Sequence, residues 1–147
     1  MTSTAISAQK STFSMNTGTD LAPVWTKIKN VKSFSGFDGS ATELDATDLD
    51  SDAKEKLLGL IDEGSFSIDI NLDMSDAGQL AMKASQKAST KKQYKLMLPD
   101  TSGSTFYAFV KSFPISGGVD AILATTVAMT ITGAVTDIAV GGDGGGA

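Results

Sequence analysis

Residues 48–52, Asp48-Leu49-Asp50-Ser51-Asp52, place three carboxylates at alternate positions, as the opening of a calcium-binding loop does. Such a loop also needs glycine at its sixth position and a bidentate glutamate at its twelfth. Those positions are Ala53 and Gly59, so the sharp turn and the decisive ligand are both missing. A catalytic carboxylate pair is defined by distance across a cleft, which crowding in one loop does not supply. The chain contains no histidine and no cysteine, and all 12 of its basic residues are lysine. A Ser-His-Asp triad, His- or Cys-ligated zinc and bidentate arginine clamps on phosphate are therefore excluded. No Gly-Lys dipeptide occurs, which removes the phosphate-cradling P-loop. The residue inventory argues against an enzyme, and no cofactor or metal is expected.

The elements that carry these residues are mostly strands. At 147 residues with 41% hydrophobic content, the chain suits one folded domain. Residues 1–23 are rich in Ser and Thr and read as an N-terminal arm without a core of its own. Residues 24–34 have strand composition, with an alternation that slips near Asn30 and suggests a bulge. Ser65–Met74 alternates without a fault: Phe66, Ile68, Ile70, Leu72 and Met74 on one face, and Ser65, Ser67, Asp69, Asn71 and Asp73 on the other. A helix is expected next, with Ser75 or Asp76 as N-cap, Gln79 placed for a capping box behind Asp76, and Ala77, Leu80, Ala81, Ala84 and Ala88 as its buried stripe, with Lys83 and Lys87 on the opposite side. Tyr94–Leu98 and Thr105–Phe113 flank a turn, forming a hairpin. A long last strand, Ile122–Ile138, puts Leu123, Val127, Met129, Ile131 and Val135 on an apolar face. Its other face carries Ala124, Thr126, Ala128, Thr130, Thr132 and Thr136. Residues 139–147 form a flexible glycine-rich tail. The fold class is mainly β: a β-sandwich or open barrel over 24–138, with one flanking α-helix, a long inter-strand loop and extended terminal arms.

The acidic stretch belongs to that long loop. Between Gly36 and Gly64 the chain spends 27 residues, with nine acids against only Lys54 and Lys56, so its local charge of −7 exceeds the net −5 of the whole. Residues 37–62 are expected to be an acidic loop holding a short helix that opens at Asp52 and buries one side of Leu57, Leu58, Leu60 and Ile61. Connections of this length are usually functional, and an apolar cluster too small to be a core suits a neighbouring subunit. The net negative charge argues against sequence-specific duplex binding. No apolar run long enough to span a membrane and no apolar signal core is present, which suggests a protein made and kept in a cytosol.

The run Gly36…Glu43-Leu44-Asp45-Ala46-Thr47…Ser51…Lys54-Glu55…Gly59-Leu60-Ile61-Asp62-Glu63-Gly64 resembles the tail tube (major tail) proteins of long-tailed, non-contractile bacteriophages. So do the strand "SIDINLD" and the helix opening Asp76-Ala77-Gly78-Gln79-Leu80 that follow it. That resemblance covers about residues 24–138. It implies a β-sandwich assembling as hexameric rings, stacked around a tape measure protein into a tube that conducts DNA during ejection. It implies further partners at the tail tip and tail terminator, assembly in the host bacterial cytoplasm, and a place in the virion tail. Asp69, Asn71, Asp73, Thr126, Thr130 and Thr132 are the lumen candidates, forming an acidic wall to which phosphate would not stick. Leu44, Asp45, Asp48, Leu49, Asp50, Leu57, Leu58, Leu60 and Ile61 are the inter-subunit candidates. Two other readings stay open: a tube protein of a contractile injection or secretion machine, and a monomeric β-sandwich module that binds cations or a basic partner.

Overall fold

The computed structural model describes residues 9–141. Residues 1–8 of the expected arm and 142–147 of the expected tail lie outside the described residues. The strands are β1 (Thr12–Asn16), β2 (Trp25–Lys27), β3 (Val31–Gly36), β4 (Ser40–Asp45), β5 (Lys56–Asp62) and β6 (Ser65–Asn71), followed by the helix α1 (Ala77–Ala88). Then come β7 (Lys92–Met97), β8 (Gly103–Ser112), β9 (Ser116–Gly118) and β10 (Ala121–Ile138). One antiparallel sheet runs β2-β1-β7-β8-β10-β6-β3, with β9 on β10; β4 and β5 form a separate two-stranded sheet.

The large sheet curls over itself. Phe13 on β1 and Phe66 on β6 are four strand steps apart, about 19 Å along a flat sheet. Their ring centroids nevertheless stack at 5.3 Å. Tyr94 lies 5.5 Å from Phe13, and Phe106 lies 5.2 Å from Phe66, so four aromatic rings from four strands fill the fold. Ile68, Ile70, Val127 and Met129 complete the buried side of β6 and β10. Tyr94 is fully enclosed, and burial pushes its phenol far above the ordinary range. The mainly β architecture with one flanking helix is as expected.

Several local expectations change. The supposed arm contributes β1, which pairs with both β2 and β7 and sends Phe13 and Met15 into the centre of the core. Residues 24–34 are two strands instead of one, and the expected irregularity falls in the second, between Val31 and Ser33. Asn30 adopts the left-handed conformation at φ 63, and the chain crosses there from the β2 edge of the sheet to the β3 edge. The expected short helix within 52–61 is absent: Lys56–Asp62 is strand β5, paired antiparallel with β4 through Leu44 opposite Leu57 and Glu43 opposite Leu58. Leucine and isoleucine suit a strand as readily as a helix over so short a span, and pairing with β4 decides it. β6 ends at Asn71, before Asp73 and Met74. At the start of β10, Leu123 is exposed instead of sharing the apolar face.

Of the two expected caps, Asp76 opens the helix and Ser75 does not: the Asp76 carboxylate accepts from the Gln79 and Lys29 amides, each at 3.1 Å. Gln79 does not reach back to Asp76. Its amide nitrogen donates to the carbonyls of Lys29 and Asn71, and its oxygen accepts from the Asp73 amide. The buried face is Gly78, Gln79, Met82 and Ser85, whereas Ala77, Leu80, Ala84 and Ala88 face solvent. Gly78 sets that rotation, because a Cβ there would stand 2.5 Å from the Lys27 carbonyl oxygen and 2.9 Å from Ile28 Cα. Gly78→Ala should therefore destabilise the fold by about 1–3 kcal/mol despite alanine's better helix propensity. Urea unfolding checks this, and a stabilised variant would mean that the helix does not dock through this glycine.

Candidate functional site

Two surfaces stand out. The first is the solvent face of β3, β6 and β10. Strand alternation puts Ser65, Ser67, Asp69 and Asn71 there, and the register sets Thr130, Ala128, Thr126 and Ala124 opposite them. Ser33 and Ser35 on β3 extend the row, with Ser33 opposite Asp69 and Ser35 opposite Ser67. Thr132 follows on β10, opposite Tyr107 of β8. Of the expected lumen residues, Asp69, Asn71, Thr126, Thr130 and Thr132 thus share one face. Asp73 does not: it sits in the turn before α1, where its carboxylate accepts from the Ser75 amide and hydroxyl.

The shared face is a wall of hydroxyls, and Asp69 is the one acid along these paired residues. The Thr126 hydroxyl, then that of Ser33, holds its carboxyl below the ordinary value of 3.8, with Lys32 adding a smaller charge effect. A lowered folded-state value means stability that is present above about pH 4 and lost as pH falls through the folded value. Asp69→Asn should therefore flatten the acid limb of stability slightly, the group being largely solvated. Urea midpoints at roughly pH 3 and pH 6 check this; an unchanged difference between parent and variant would remove the linkage.

The second surface is the β4–β5 hairpin, which is paired with nothing in the large sheet. Its base is held by the Asp38 carboxylate accepting from the Ser65 amide at 3.0 Å, and by Asp62 accepting from the Gly64 amide at 2.9 Å. Gly64 has φ +82, a conformation side chains resist. At the far end the Thr47 hydroxyl accepts from the Glu55 amide and donates to its carbonyl, closing the tip. Asp45 accepts from the Thr47 amide, and Thr47 holds its carboxyl below the ordinary value. Asp48 turns its carboxylate on the Asp50 amide and the Ser51 hydroxyl. Among the described residues, no group of three or more acids comes together in a way that could hold an ion.

All nine expected inter-subunit residues lie on this hairpin. Leu57 lies opposite Leu44 on one face, and Leu58 and Ile61, opposite Glu43 and Ala41, lie on the other, because a bulge between them breaks the alternation of β5. Leu44, Leu57, Leu58, Leu60 and Ile61 are all exposed, Leu60 at 96%, and Leu49 projects from the tip. A two-stranded hairpin with apolar groups on both faces has no core of its own.

A run of lysines divides between α1, which carries Lys83 and Lys87, and the sheet face of Tyr107 and Trp25, over which Lys91 and Lys95 lie. Between Asp76 and Asp100 the chain carries Lys83, Lys87, Lys91, Lys92 and Lys95 without an acid, a run visible to simple counting. Lys95 lies 4.4 Å over the Trp25 ring, and Lys91 lies 5.3 Å over Tyr107, whose hydroxyl donates to Asp20 at 3.2 Å. Burial, then the Asp20 charge, raises the Tyr107 phenol.

The chain has relatives of known architecture. No curated protein sequence matches it. The fold is similar to the SPP1 tail tube, at TM-score 0.69 and 13% identity over 91% of this chain and 79% of that one. It is similar to the tail of an empty gene transfer agent particle with C6 symmetry, at TM-score 0.73 and 16% identity over 92% and 100% of the two chains. A sheath/tube terminator of an extracellular contractile injection system matches at TM-score 0.69 and 16% identity, over 95% and 100%. At such identities these likenesses show the fold alone, and they span both contractile and other tail machines. A sequence model of the phage tail tube family, lambda-like, matches residues 4–101, about two thirds of the chain, and on that match the chain belongs to the lambda-like phage tail tube family as a structural component of the virion tail.

Proposed function

We propose that the protein forms the tube by closing into hexameric rings that stack around a tape measure protein, and that the hydroxyl face of β3, β6 and β10 lines the channel through which DNA leaves. The carrying observation is the β4–β5 hairpin, whose apolar residues are exposed on both faces of a two-stranded sheet held only at its base. A monomer gains nothing from such an element, whereas a neighbour that covers it supplies the missing core. The C6 symmetry of the gene transfer agent tail supports six copies per ring.

The channel assignment rests on chemistry. DNA is gripped chiefly by cations at its phosphates, with counterion release driving affinity. The face around Asp69 offers serine, threonine, a single carboxylate and one lysine, Lys32, whose charge Asp69 offsets, so it can hydrate a passing duplex without holding it. The negative charge sits mostly on the hairpin, so the wall is polar more than acidic. Tip and terminator proteins would cap the two ends, and assembly would precede lysis in the host cytoplasm.

Electron microscopy of the purified protein, alone and with tail-tip complexes and tape measure protein, tests the reading. Hollow tubes built from six-fold rings are expected. A persistent monomer in the presence of those initiators would overturn it and return a monomeric binding module to first place.

A further inference from the structure

We propose that the acidic β4–β5 hairpin of one copy docks on the outward face of α1 in a neighbouring copy, an inference that rests on the tube reading above. Charge is divided unevenly along the chain. Residues 37–63 hold nine acids against two lysines, a local −7, and the other ten lysines against eight acids leave the rest at +2, together the chain's −5. Five of those lysines fall within residues 83–95, with no acid among them. At helical spacing, Lys83 and Lys87 border the same outward face of α1 that carries Leu80, Ala84 and Ala88. Leu80 is 45% exposed, and its alanine neighbours are exposed too, so this face is uncovered in the single chain.

The two surfaces match in chemistry and length. Small alanines let a partner approach the helix closely, with Leu80 as a ridge and lysines along the border. The hairpin brings leucines flanked by Asp45, Asp48 and Asp50. Seven strand residues span about 23 Å and twelve helical residues about 18 Å. Within one chain the surfaces sit apart, since α1 packs on β1, β2 and β8 while the hairpin springs from β3 and β6. A contact joining two different patches is head-to-tail, and it closes into a ring or extends as a filament according to its rotation.

The absence of cysteine makes the test direct. Leu60→Cys and Ala84→Cys proteins are mixed under tube-forming conditions and treated with a short bis-maleimide. Covalent heterodimers should form about a hundredfold faster than for Leu60→Cys mixed with Thr101→Cys, since the assembled pair has a millimolar effective concentration. The double reversal Lys83→Glu, Lys87→Glu should abolish tubes while leaving a folded monomer by circular dichroism. Adding Asp45→Lys, Asp48→Lys and Asp50→Lys to that variant should restore them. Tubes that form without the Leu60–Ala84 cross-link, or that tolerate the lysine reversal, overturn this docking and leave the tube reading standing. Failure of the parent protein to form tubes with its initiators overturns the tube reading itself, and this inference with it.

Discussion

Phe13→Ala is expected to lower stability by about 3–5 kcal/mol, the usual cost of deleting a buried phenylalanine. The ring is 1% exposed and stacks between Phe66 and Tyr94, with Phe106 at 6.2 Å, so its loss leaves a cavity at the junction of four strands. The neighbours are aromatic and held by strand pairing, which limits how far they can collapse into the gap. Against a typical domain stability of about 5–15 kcal/mol, this is a large fraction. Thermal unfolding should show a fall in melting temperature on the order of 10 °C. A peripheral arm would behave otherwise: its truncation would leave the melt unchanged and alter assembly alone. Observing that pattern would mean that β1 does not complete the core in the free protein.

Phe13 also shows where the sequence was legible and where it was not. Strand β6 could be read directly, because Phe66, Ile68 and Ile70 alternate with polar residues over its whole length. β1 is five residues long, Thr-Phe-Ser-Met-Asn, set in a polar stretch; two apolar residues are too few to show a period. Only its partners, β2 on one side and β7 on the other, fix it as a strand. The same lack of local information misplaced the helix face. Alanine is tolerated on either side of a helix, so Ala77, Ala84 and Ala88 could not report which side is buried. The informative residue was Gly78, whose role depends on a backbone 50 residues earlier in the chain.

The functional surfaces divide in the same way. The hydroxyl face followed from strand parity, which carries from β6 to β10 through the pairing of Thr126 with Asp69. Asp73 was assigned by extending that parity two residues past Asn71, beyond where pairing ends. Composition located the hairpin correctly as an acidic, apolar insert, yet its conformation was misread, since Leu57-Leu58-Gly59-Leu60-Ile61 has neither a strict period of two nor one of 3.6. Charge is a property of the sequence, whereas exposure follows from the fold and the choice between helix and strand came from pairing with β4.

The hairpin gives the second large effect. Leu60→Asp should leave the monomer's stability within about 0.5 kcal/mol of the parent, because the side chain is 96% exposed and contributes no packing there. On the proposed docking, the same side chain is covered in the tube. Its replacement forfeits about 1.5–3 kcal/mol of apolar burial, and the new carboxylate must also be desolvated. With the proposed contact made once per subunit, the loss would appear at each addition, and a 3 kcal/mol deficit would raise the critical concentration for polymerisation about a hundredfold. Sedimentation of tubes across a concentration series measures this, with Leu21→Asp as control, since Leu21 is equally exposed but lies outside the hairpin. Polymerisation of Leu60→Asp at the parent's concentration would show that this side of the hairpin meets solvent in the tube. Loss of assembly with an unchanged melt would separate two roles: a core closed by the Phe13 stack, and, on the proposed docking, an arm whose apolar surface another subunit completes.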